Sequence, residues 1–443
     1  MPTRSFNPVL LVLLVLVGLA SAFSAFSARC GEEAQPEEGL DTILYNDPKL
    51  RPDQTKITKD DYLYVTGKHK IDLKKKSCDI KEVQYGEQDS EYAAGLSARD
   101  EGRYTVAAYH FVKSWEGLKG KTRTNWPAEY CNYQAGLALY TFGKFGGYTG
   151  KTGTVYDPPA VYFKRALEAN PRSRFMPDMV SKIPICLTEE GKLDEAVAAI
   201  KDGEDKIKQY RTEGVAVAPG YSEVADRATA QLSVAAAKLA EKKASAAGAG
   251  ADWQTVSDLW HSASGKCDRF PELQADAVDG ELQALINMKN YDGVISQAQT
   301  YVDKYQSTGD NKVLPLLPGS YMALGKAFMG KAAQNEERKM TPQANQNYAE
   351  ARWQFIHVVA QFFDKDEYVA NAHFLAGVCY DKLKDLEPDA PDKAVRHWRL
   401  VVQNFPNSSF KALAEQQLAT AGASIAPAPA PEPKKDEPKK DKT

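Results

Sequence analysis

Residues 372–380 read AHFLAGVCY, and residues 394–406 read AVRHWRLVVQNFP. In the second stretch Ala394 is followed by an aromatic residue at +4, Trp398, by an apolar residue at +7, and by Pro406 at +12. Apolar positions three and four residues apart lie on one face of a helix, and proline cannot continue the helical hydrogen-bond ladder. The stretch therefore predicts a helix that a neighbouring helix approaches closely at the small residue, and that ends before Pro406.

The same spacing recurs between residues 90 and 420. The copies begin at Gly95, Gly136, Leu187, Val256, Leu285, Leu324 and Gly377. The residues of the spacing that follow them include Phe111, Phe163, Ile200, Trp260, Ala298, Phe355 and Trp398. Three copies carry long segments between their two predicted helices. An isolated helix pair cannot bury its apolar face, so neighbouring pairs stack. The sequence therefore predicts a mainly α protein, an α-solenoid of about seven helix pairs with a concave face.

This pattern resembles the tetratricopeptide repeat family over roughly residues 90–410, with Gly95, Gly136, Gly325 and Gly377 on the first helices. The likeness is strongest at residues 370–408, which resemble periplasmic tetratricopeptide proteins of bacterial envelopes. The resemblance implies a scaffold that binds extended peptides or partner helices in its concave face. Proteins of this family are not usually enzymes.

The first 22 residues have a different character. Arg4 precedes an apolar run over residues 8–20, and Ala20-Ser21-Ala22 forms a small-residue cleavage pattern. These features are typical of a secretory signal peptide and predict a secreted or periplasmic protein of the cell envelope. The alternative is an uncleaved single-pass membrane anchor, for which the apolar run would extend through Phe26. Residues 23–40 are polar and acidic and are predicted to be disordered.

Residues 41–86 are predicted to form a small β module, either a hairpin or a three-stranded unit. Residues 61–73 are rich in β-branched and aromatic residues, Thr66-Gly67-Lys68 would form the turn, and residues 79–85 supply a further strand. A β unit of this size needs something to pack against.

Residues 421–443 form a tail that includes the stretch APAPAPEPKKDEPKKDK. Pro-Ala repeats favour extended conformations, and the charged residues cannot form a core. Five lysines are nearly balanced by four acidic residues, which predicts a solvated, disordered tether. The alternative is a docking tail for an anionic surface such as a membrane or cell wall.

Residues 145–154, FGGYTGKTGT, contain the back half of a nucleotide-binding loop. Such a loop needs a glycine five positions before Gly150, a strand before it and a helix after it. Phe145 occupies the glycine position, residues 133–142 predict a helix, and prolines at 158 and 159 interrupt the segment where the helix should begin. The stretch is therefore predicted to be an inserted loop between two helices, and removing residues 144–157 should leave the fold intact.

Other catalytic and metal-binding patterns fail in the same way. His261-Ser-Ala-Ser-Gly265 resembles a nucleophile elbow, but Ala263 already belongs to a repeat helix. The six histidines form no H-x-x-x-H pair, and His357, His373 and His397 lie on helices of neighbouring repeats with nothing in their spacing that brings them together.

The six cysteines form no C-x-x-C pair, so the sequence gives no support for metal or thioredoxin chemistry. Pairing in an oxidising compartment would leave 15 connectivities open. Cys186 and Cys379 lie among apolar residues and are predicted to be single buried thiols.

The chain of 443 residues has a formal net charge of −3 and no long basic stripe, which argues against a nucleic-acid partner. The sequence therefore predicts a non-enzymatic exported scaffold that binds protein or peptide partners, with no catalytic, cofactor-binding or metal-binding residues. The alternative is an envelope-assembly factor that associates with membrane or cell wall through its N-terminus or tail. Some of the 22 tyrosines are predicted to anchor a peptide.

Overall fold

The computed structural model describes residues 39–150, 153–306, 316–362 and 366–424. The predicted signal peptide and all but four residues of the predicted tail lie outside these ranges. The chain divides into two compact units, with the division between Ser90 and Glu91.

The described part of the first unit, residues 39–90, contains six strands in two antiparallel sheets. The strands are β1 (Asp41–Tyr45), β2 (Asp53–Thr55), β3 (Ile57–Asp60), β4 (Tyr64–Lys68), β5 (Asp72–Lys76) and β6 (Ile80–Gln84). One sheet has the order β2–β1–β6 and the other has the order β3–β4–β5. The predicted β module is thus present, but Thr66 and Gly67 lie within β4, and the turn falls at residues 69–71. The prediction placed the turn at a glycine, whereas Gly67 is needed because Thr55 leaves no room for a Cβ there.

The buried side chain of Asp41 joins the two ends of this unit. Its carboxylate accepts the N–H of Ile57 at 2.6 Å and the N–H of Gly86 at 2.9 Å. Buried carboxylates are costly unless they accept such hydrogen bonds. Ile43 and Val83 pair across β1 and β6 in the same core.

The second unit is mainly helical over its described residues. Its helices are α1 (Ser90–Asp100), α2 (Tyr104–Leu118), α3 (Trp126–Thr141), α4 (Pro159–Ala169), α5 (Met176–Glu189), α6 (Leu193–Val215), α7 (Gly220–Ala247), α8 (Trp253–Lys266), α9 (Pro271–Asn287), α10 (Tyr291–Gln306), α11 (Leu316–Glu337), α12 (Thr341–Gln361), α13 (Asp366–Lys382), α14 (Ala390–Asn404) and α15 (Lys411–Thr420). Taken in order, the fifteen described helices form seven pairs and a single closing helix. The predicted mainly α solenoid is confirmed.

Four of the seven pairs share one linker between their two helices. The linker has three residues, and its second residue has positive φ: Gly102, Gly191, Lys289 and Lys339. In each case this residue donates its N–H three residues back, and the next residue donates five residues back. This is the Schellman motif, which satisfies the last carbonyls of a helix. The same turn therefore recurs along the chain, as the packing faces of the helices do.

The small residues on the first helices lie directly against the aromatic residues on the second helices. A methyl group added at Gly95 would overlap Phe111, and one at Gly136 would overlap Phe163. The same holds for Gly325 with Phe355 and for Gly377 with Trp398, and all four aromatic side chains are buried. The predicted close approach of the two helices at a small residue is confirmed. Glycine is required at these four positions because a Cβ would overlap the aromatic ring of the second helix.

The segment between Phe328 and Ala351 is one of the long segments between predicted helices, and it is helical over nearly all of its length. Helix α11 continues to Glu337 and α12 begins at Thr341, so only three residues join them. The extra length lies in the two helices, which extend the pair outward. Periodic apolar residues alone do not distinguish a longer helix from a loop when the intervening residues are polar.

The segment 142–158 is a true insertion, as predicted. It begins with the standard turn, in which Gly143 has positive φ and Lys144 donates to Leu139 O at 3.2 Å. A two-stranded hairpin comes next, with β7 (Tyr148–Thr149) paired with β8 (Val155–Tyr156). Lys151 and Thr152 lie outside the described residues. The Tyr148 and Tyr156 rings stack with centroids 5.8 Å apart, so ring contacts hold this connection together.

Candidate functional site

The helical unit contains a cavity of about 490 Å³ in which the first helices of several pairs converge. Its lining comes from α7, α8, α9, α11 and α13, and from the turn that precedes α15. The lining residues are Lys238, Glu241, Trp260, Asp276, Asp279, Gly280, Gln283, Ile286, Gly319, Met322, Ala323, Lys326, Tyr368, Asn371, Ser409 and Phe410. The volume lies within the range of cavities that hold small ligands or a few side chains.

Asp279 of α9 is one of the lining residues. Tyr368 on α13 donates its hydroxyl hydrogen to Asp279 Oδ2 at 2.6 Å, across 89 residues of sequence. The carboxylate also lies directly over Gly319 of α11, where a Cβ would overlap it. Burial raises the pKa of Asp279 to about 6, although the Tyr368 hydrogen bond and the Lys326 ammonium act to lower it. A glycine on the helix between α9 and α13 thus makes room for a carboxylate that bridges them.

Lys326 of α11 also lines the cavity, and its positive charge acts on the Asp279 carboxylate. Its ammonium donates to Gln283 Oε1 at 3.4 Å and makes no ion pair within the part of the chain that the structure describes. Burial lowers the pKa of Lys326, and the negative charge of Asp279 opposes that change. The cavity therefore holds a desolvated carboxylate and a desolvated ammonium that are close enough to influence each other but are not in contact.

A second carboxylate, Glu241, lies on the α7 side of the cavity. Burial raises the pKa of Glu241, against the opposite effects of the Trp260 indole N–H and Lys238. The indole nitrogen is buried and makes no hydrogen bond of ordinary geometry among the described residues. Asp276 is exposed and lies 3.7 Å from Lys238 Nζ. Lys238 is thus shared between Asp276, which it contacts, and Glu241, which it influences at longer range.

Apolar residues complete the lining. Met322 and Ala323 are buried on α11, and Ile286 and Phe410 are partly buried. The lining thus combines apolar side chains, its apolar wall, with charged and amide side chains, its polar floor, which is the usual composition of a ligand-binding cleft. The apolar wall suits the aliphatic part of a side chain that enters the cavity, and the polar floor suits the polar end of the same side chain.

Sequence reasoning did not single out Asp279, Lys326 or Glu241. One signal was present: Asp279 and Gly280 interrupt the apolar stripe that Val278 and Leu282 continue on α9. A charged residue at such a position is either exposed or faces a cavity. Only the placement of α11 and α13 beside α9 shows which of the two applies.

The two stretches that resemble catalytic motifs lie where they were predicted to lie, one in an insertion between helices and the other in a helix. The stretch 145–154 comes after α3 and includes the short strand β7, and β8 rather than a helix follows it, so it lacks the helix that a phosphate loop needs. Residues 261–265 lie within α8, and Ala263 is fully buried in the core between helices.

Two of the histidines do converge, contrary to expectation. The Nδ1 atoms of His373 and His397 lie 2.9 Å apart, and the His397 ring stacks on Tyr380. Burial lowers the pKa of each histidine to about 4. Facing positions on α13 and α14 bring them together, a relation that their sequence spacing does not show. His357 instead lies against Tyr321.

Among the described residues, no three His, Cys, Asp or Glu side chains are grouped so that they could hold a metal ion. Cys186 and Cys379 are fully buried single thiols, as predicted. Burial raises the pKa of Cys379 to about 12 and that of Cys186 further still. These thiols are packing residues rather than nucleophiles. Over the described ranges, no helix has the length and apolarity needed to cross a membrane.

The sequence matches no family model and no curated protein. Among solved structures, the chain is similar to the TPR2AB domain of yeast Sti1 in its pHSP90 complex, with 13% identity, a TM-score of 0.20, and coverage of 66% of this chain and 98% of that one. It is also similar to the human IFIT1 dimer with PPP-AAAA, with 13% identity, a TM-score of 0.25 and 71% coverage of each chain. The TPR domain of P58(IPK) gives 13% identity, a TM-score of 0.19, and coverage of 75% and 89%.

The fold class is assigned from the helix packing of this chain and not from these similarities, whose TM-scores are 0.25 or less. Over the described residues, seven helix pairs with glycine-to-aromatic contacts and repeated Schellman turns define an α-solenoid.

Proposed function

We propose that this protein is a non-enzymatic scaffold that binds a segment of a protein partner in the cavity between its first helices. The observation that supports this most directly is the convergence of α7, α9, α11 and α13 on one cavity with an apolar wall and a polar floor. A solenoid presents such a surface along its length without a change in fold. Partner binding through a groove of this kind uses a few buried anchors rather than a large area.

The perturbed acid–base groups in the cavity have a structural explanation. Asp279 and Lys326 are shifted mainly by burial, and Asp279 uses one oxygen to hold Tyr368. Shifted groups of this kind also occur in structural networks. We therefore assign them to binding rather than to turnover.

The test is site-specific photo-crosslinking in the cell that makes the protein. Benzoylphenylalanine at Asn371, on the cavity wall, should give a protease-sensitive adduct with another polypeptide. The same group at Gln299, exposed on α10, is the matched control and should give none. Equal adducts at both positions, or none at Asn371, would exclude the cavity as the partner site.

We also propose that the protein acts outside the cytoplasm, as a secreted or periplasmic component of the cell envelope. The support is the basic, apolar and small-residue order of residues 1–22. Intact-mass measurement of the native protein tests this, since cleavage after Ala22 removes 22 residues. A full-length mass in a membrane fraction would favour the single-pass anchor instead.

The second candidate is an envelope-assembly factor that associates with membrane or cell wall. It is favoured by the lysine-rich tail and would act through the tail or an uncleaved N-terminus. Fractionation of the full chain beside a chain that ends at Ser424 tests it. The same soluble recovery of both would reject this role for the tail.

A further inference from the structure

The carboxylates of the cavity outnumber its cations. Glu241, Asp276 and Asp279 face Lys238 and Lys326. Of the two lysines, Lys238 makes an ion pair within the described ranges, with Asp276 at 3.7 Å. Among the residues that the structure describes, no Lys, Arg or His nitrogen lies within ion-pair distance of Asp279 or Glu241.

The two carboxylates without a contacting cation differ in their surroundings. Asp279 receives one neutral hydrogen bond, from Tyr368, and is packed against Gly319. Glu241 lies near the buried Trp260 indole, which lacks a well-formed hydrogen bond among the described residues. Carboxylates removed from water are costly unless a cation or several donors compensate them. A bound cation would supply this compensation.

The shape of the lining restricts the kind of group that can carry that cation. Met322 and Ala323 on α11, with Ile286 on α9 and Phe410, form an apolar wall beside the floor. A long aliphatic stem that ends in a cation buries its methylene groups on such a wall while its charged end reaches polar groups. A metal ion or a small ammonium ion would leave the wall uncovered.

We propose that this cavity binds the side chain of a lysine or arginine from an extended segment of the protein partner. The stem lies on the α11 wall, and the cation pairs with Asp279 and Glu241. This assignment rests on the proposed function, because it names the chemistry of the segment that the scaffold holds. The occupant is a partner and not the chain's own tail, in which five lysines are offset by four acidic residues.

The experiment begins with selection of a random twelve-residue peptide library, displayed on mRNA, on the immobilised full chain. Peptides that depend on the cavity are those lost on the Asn371→Trp variant, which fills it. We expect lysine or arginine at one fixed position in these peptides. No peptide sensitive to Asn371→Trp would overturn the proposed function itself. Sensitive peptides without a fixed cation would overturn only the present inference.

A double-mutant cycle then tests the contact on one selected peptide. Asp279→Asn in the protein and Lys→norleucine in the peptide should each weaken binding by about tenfold or more, as expected for loss of a charged hydrogen bond. If the two groups touch, the combined loss should be well below the product of the single losses. Full multiplication of the two losses would contradict the contact.

Two further variants test whether the loss of binding is specific to the carboxylates of the cavity. Glu241→Gln should also weaken binding, whereas Glu337→Gln removes one exposed acid from the end of α11 and should change affinity by less than about twofold. Removal of residues 425–443 should leave capture unchanged. A rise in capture after that removal would show that the tail occupies the cavity and would overturn the assignment to a partner.

Discussion

Lys289 and Lys339 occupy the linker position that glycine takes in the other short turns. Their φ values are 58° and 60°, in the left-handed region that disfavours a side chain. Both keep the backbone hydrogen bonds of the motif. The two helices that flank each linker therefore impose the turn. The lysine adopts positive φ there at a cost in free energy.

Lys339→Gly should stabilise the protein by about 0.5–1 kcal/mol, because glycine adopts positive φ without strain and part of this gain is offset by its freedom in the unfolded chain. Lys339→Ala is the control, since alanine carries the same Cβ and should give no gain. Urea unfolding of the three proteins measures the effect. Equal stability of the glycine and alanine variants would show that the turn is not strained.

Asp279→Asn should raise stability at neutral pH. The pKa of Asp279 is raised to about 6 in the folded chain, above its unfolded value. The folded state therefore binds more protons between about pH 4 and pH 6, so this group lowers stability as pH rises through that window. Asparagine removes the penalty and can still accept the Tyr368 hydrogen bond. The expected gain at pH 7 is about 1–3 kcal/mol.

The unfolding free energies of wild type and Asp279→Asn, measured from pH 4 to pH 8, check this. Their difference should be small near pH 4, grow up to about pH 6 and then stay constant. A difference that does not depend on pH would place the cause in packing instead. A more stable variant would also show that loss of peptide binding by Asp279→Asn does not arise from unfolding.

At the scale of elements, the insertion after α3 is an addition to a turn that is otherwise complete. Gly143 and Lys144 already make the Schellman hydrogen bonds that end a first helix. The hairpin of β7 and β8 then departs and returns to Pro158, just before α4. Glycine and polar residues predicted a loop there, but the stacking of Tyr148 on Tyr156 was not visible in the sequence.

Deletion of residues 145–158 should leave Phe142, Gly143 and Lys144 as a three-residue linker like the others. Helical circular dichroism should be retained, and the melting temperature should fall by no more than about 4 °C. Deletion of residues 144–157 is the matched comparison. It leaves Pro158 in place of Lys144 and loses the hydrogen bond to Leu139 O, which should cost about 1 kcal/mol more. Loss of helical content in both would make the hairpin structural.

At the scale of the whole helical unit, the core is a series of overlapping clusters rather than one centre. One cluster runs from Tyr133 to Leu239, the next from Ala230 to Ala284, a third from Ala275 to Leu383, and the last from Tyr380 to Leu418. Neighbouring clusters share a helix, since α7, α9 and α13 each contribute residues to two of them. Stability in such an array is close to a sum of local and nearest-neighbour terms.

Trp398→Ala should therefore act locally. Removal of this buried indole costs about 3–5 kcal/mol at its site. Hydrogen exchange should become faster in α13, α14 and α15, while protection in α3–α6 stays within about twofold of wild type. Mass-spectrometric hydrogen exchange on both proteins checks this. A uniform loss of protection would show that the unit unfolds as one cooperative body.

The sequence alone determined the repeat. Small residues, aromatic residues and prolines at fixed spacing specify each helix pair because their effects are local, within one or two turns. For that reason the positions of Gly95, Gly136, Gly325 and Gly377 against their aromatic partners could be predicted, although helix lengths between Phe328 and Ala351 could not. Polar residues there suit a helix surface as well as a loop.

Only the tertiary structure decided where the candidate site lies. Asp279 and Tyr368 are 89 residues apart, and His373 and His397 meet across two helices. The first contact depends on how far each helix pair is rotated against the next, and the second depends on how α13 and α14 face each other within one pair; both are set by many packing contacts together. No single motif encodes that rotation. The sequence therefore specified the repeating unit, and the stacking of the units placed the cavity and its charges.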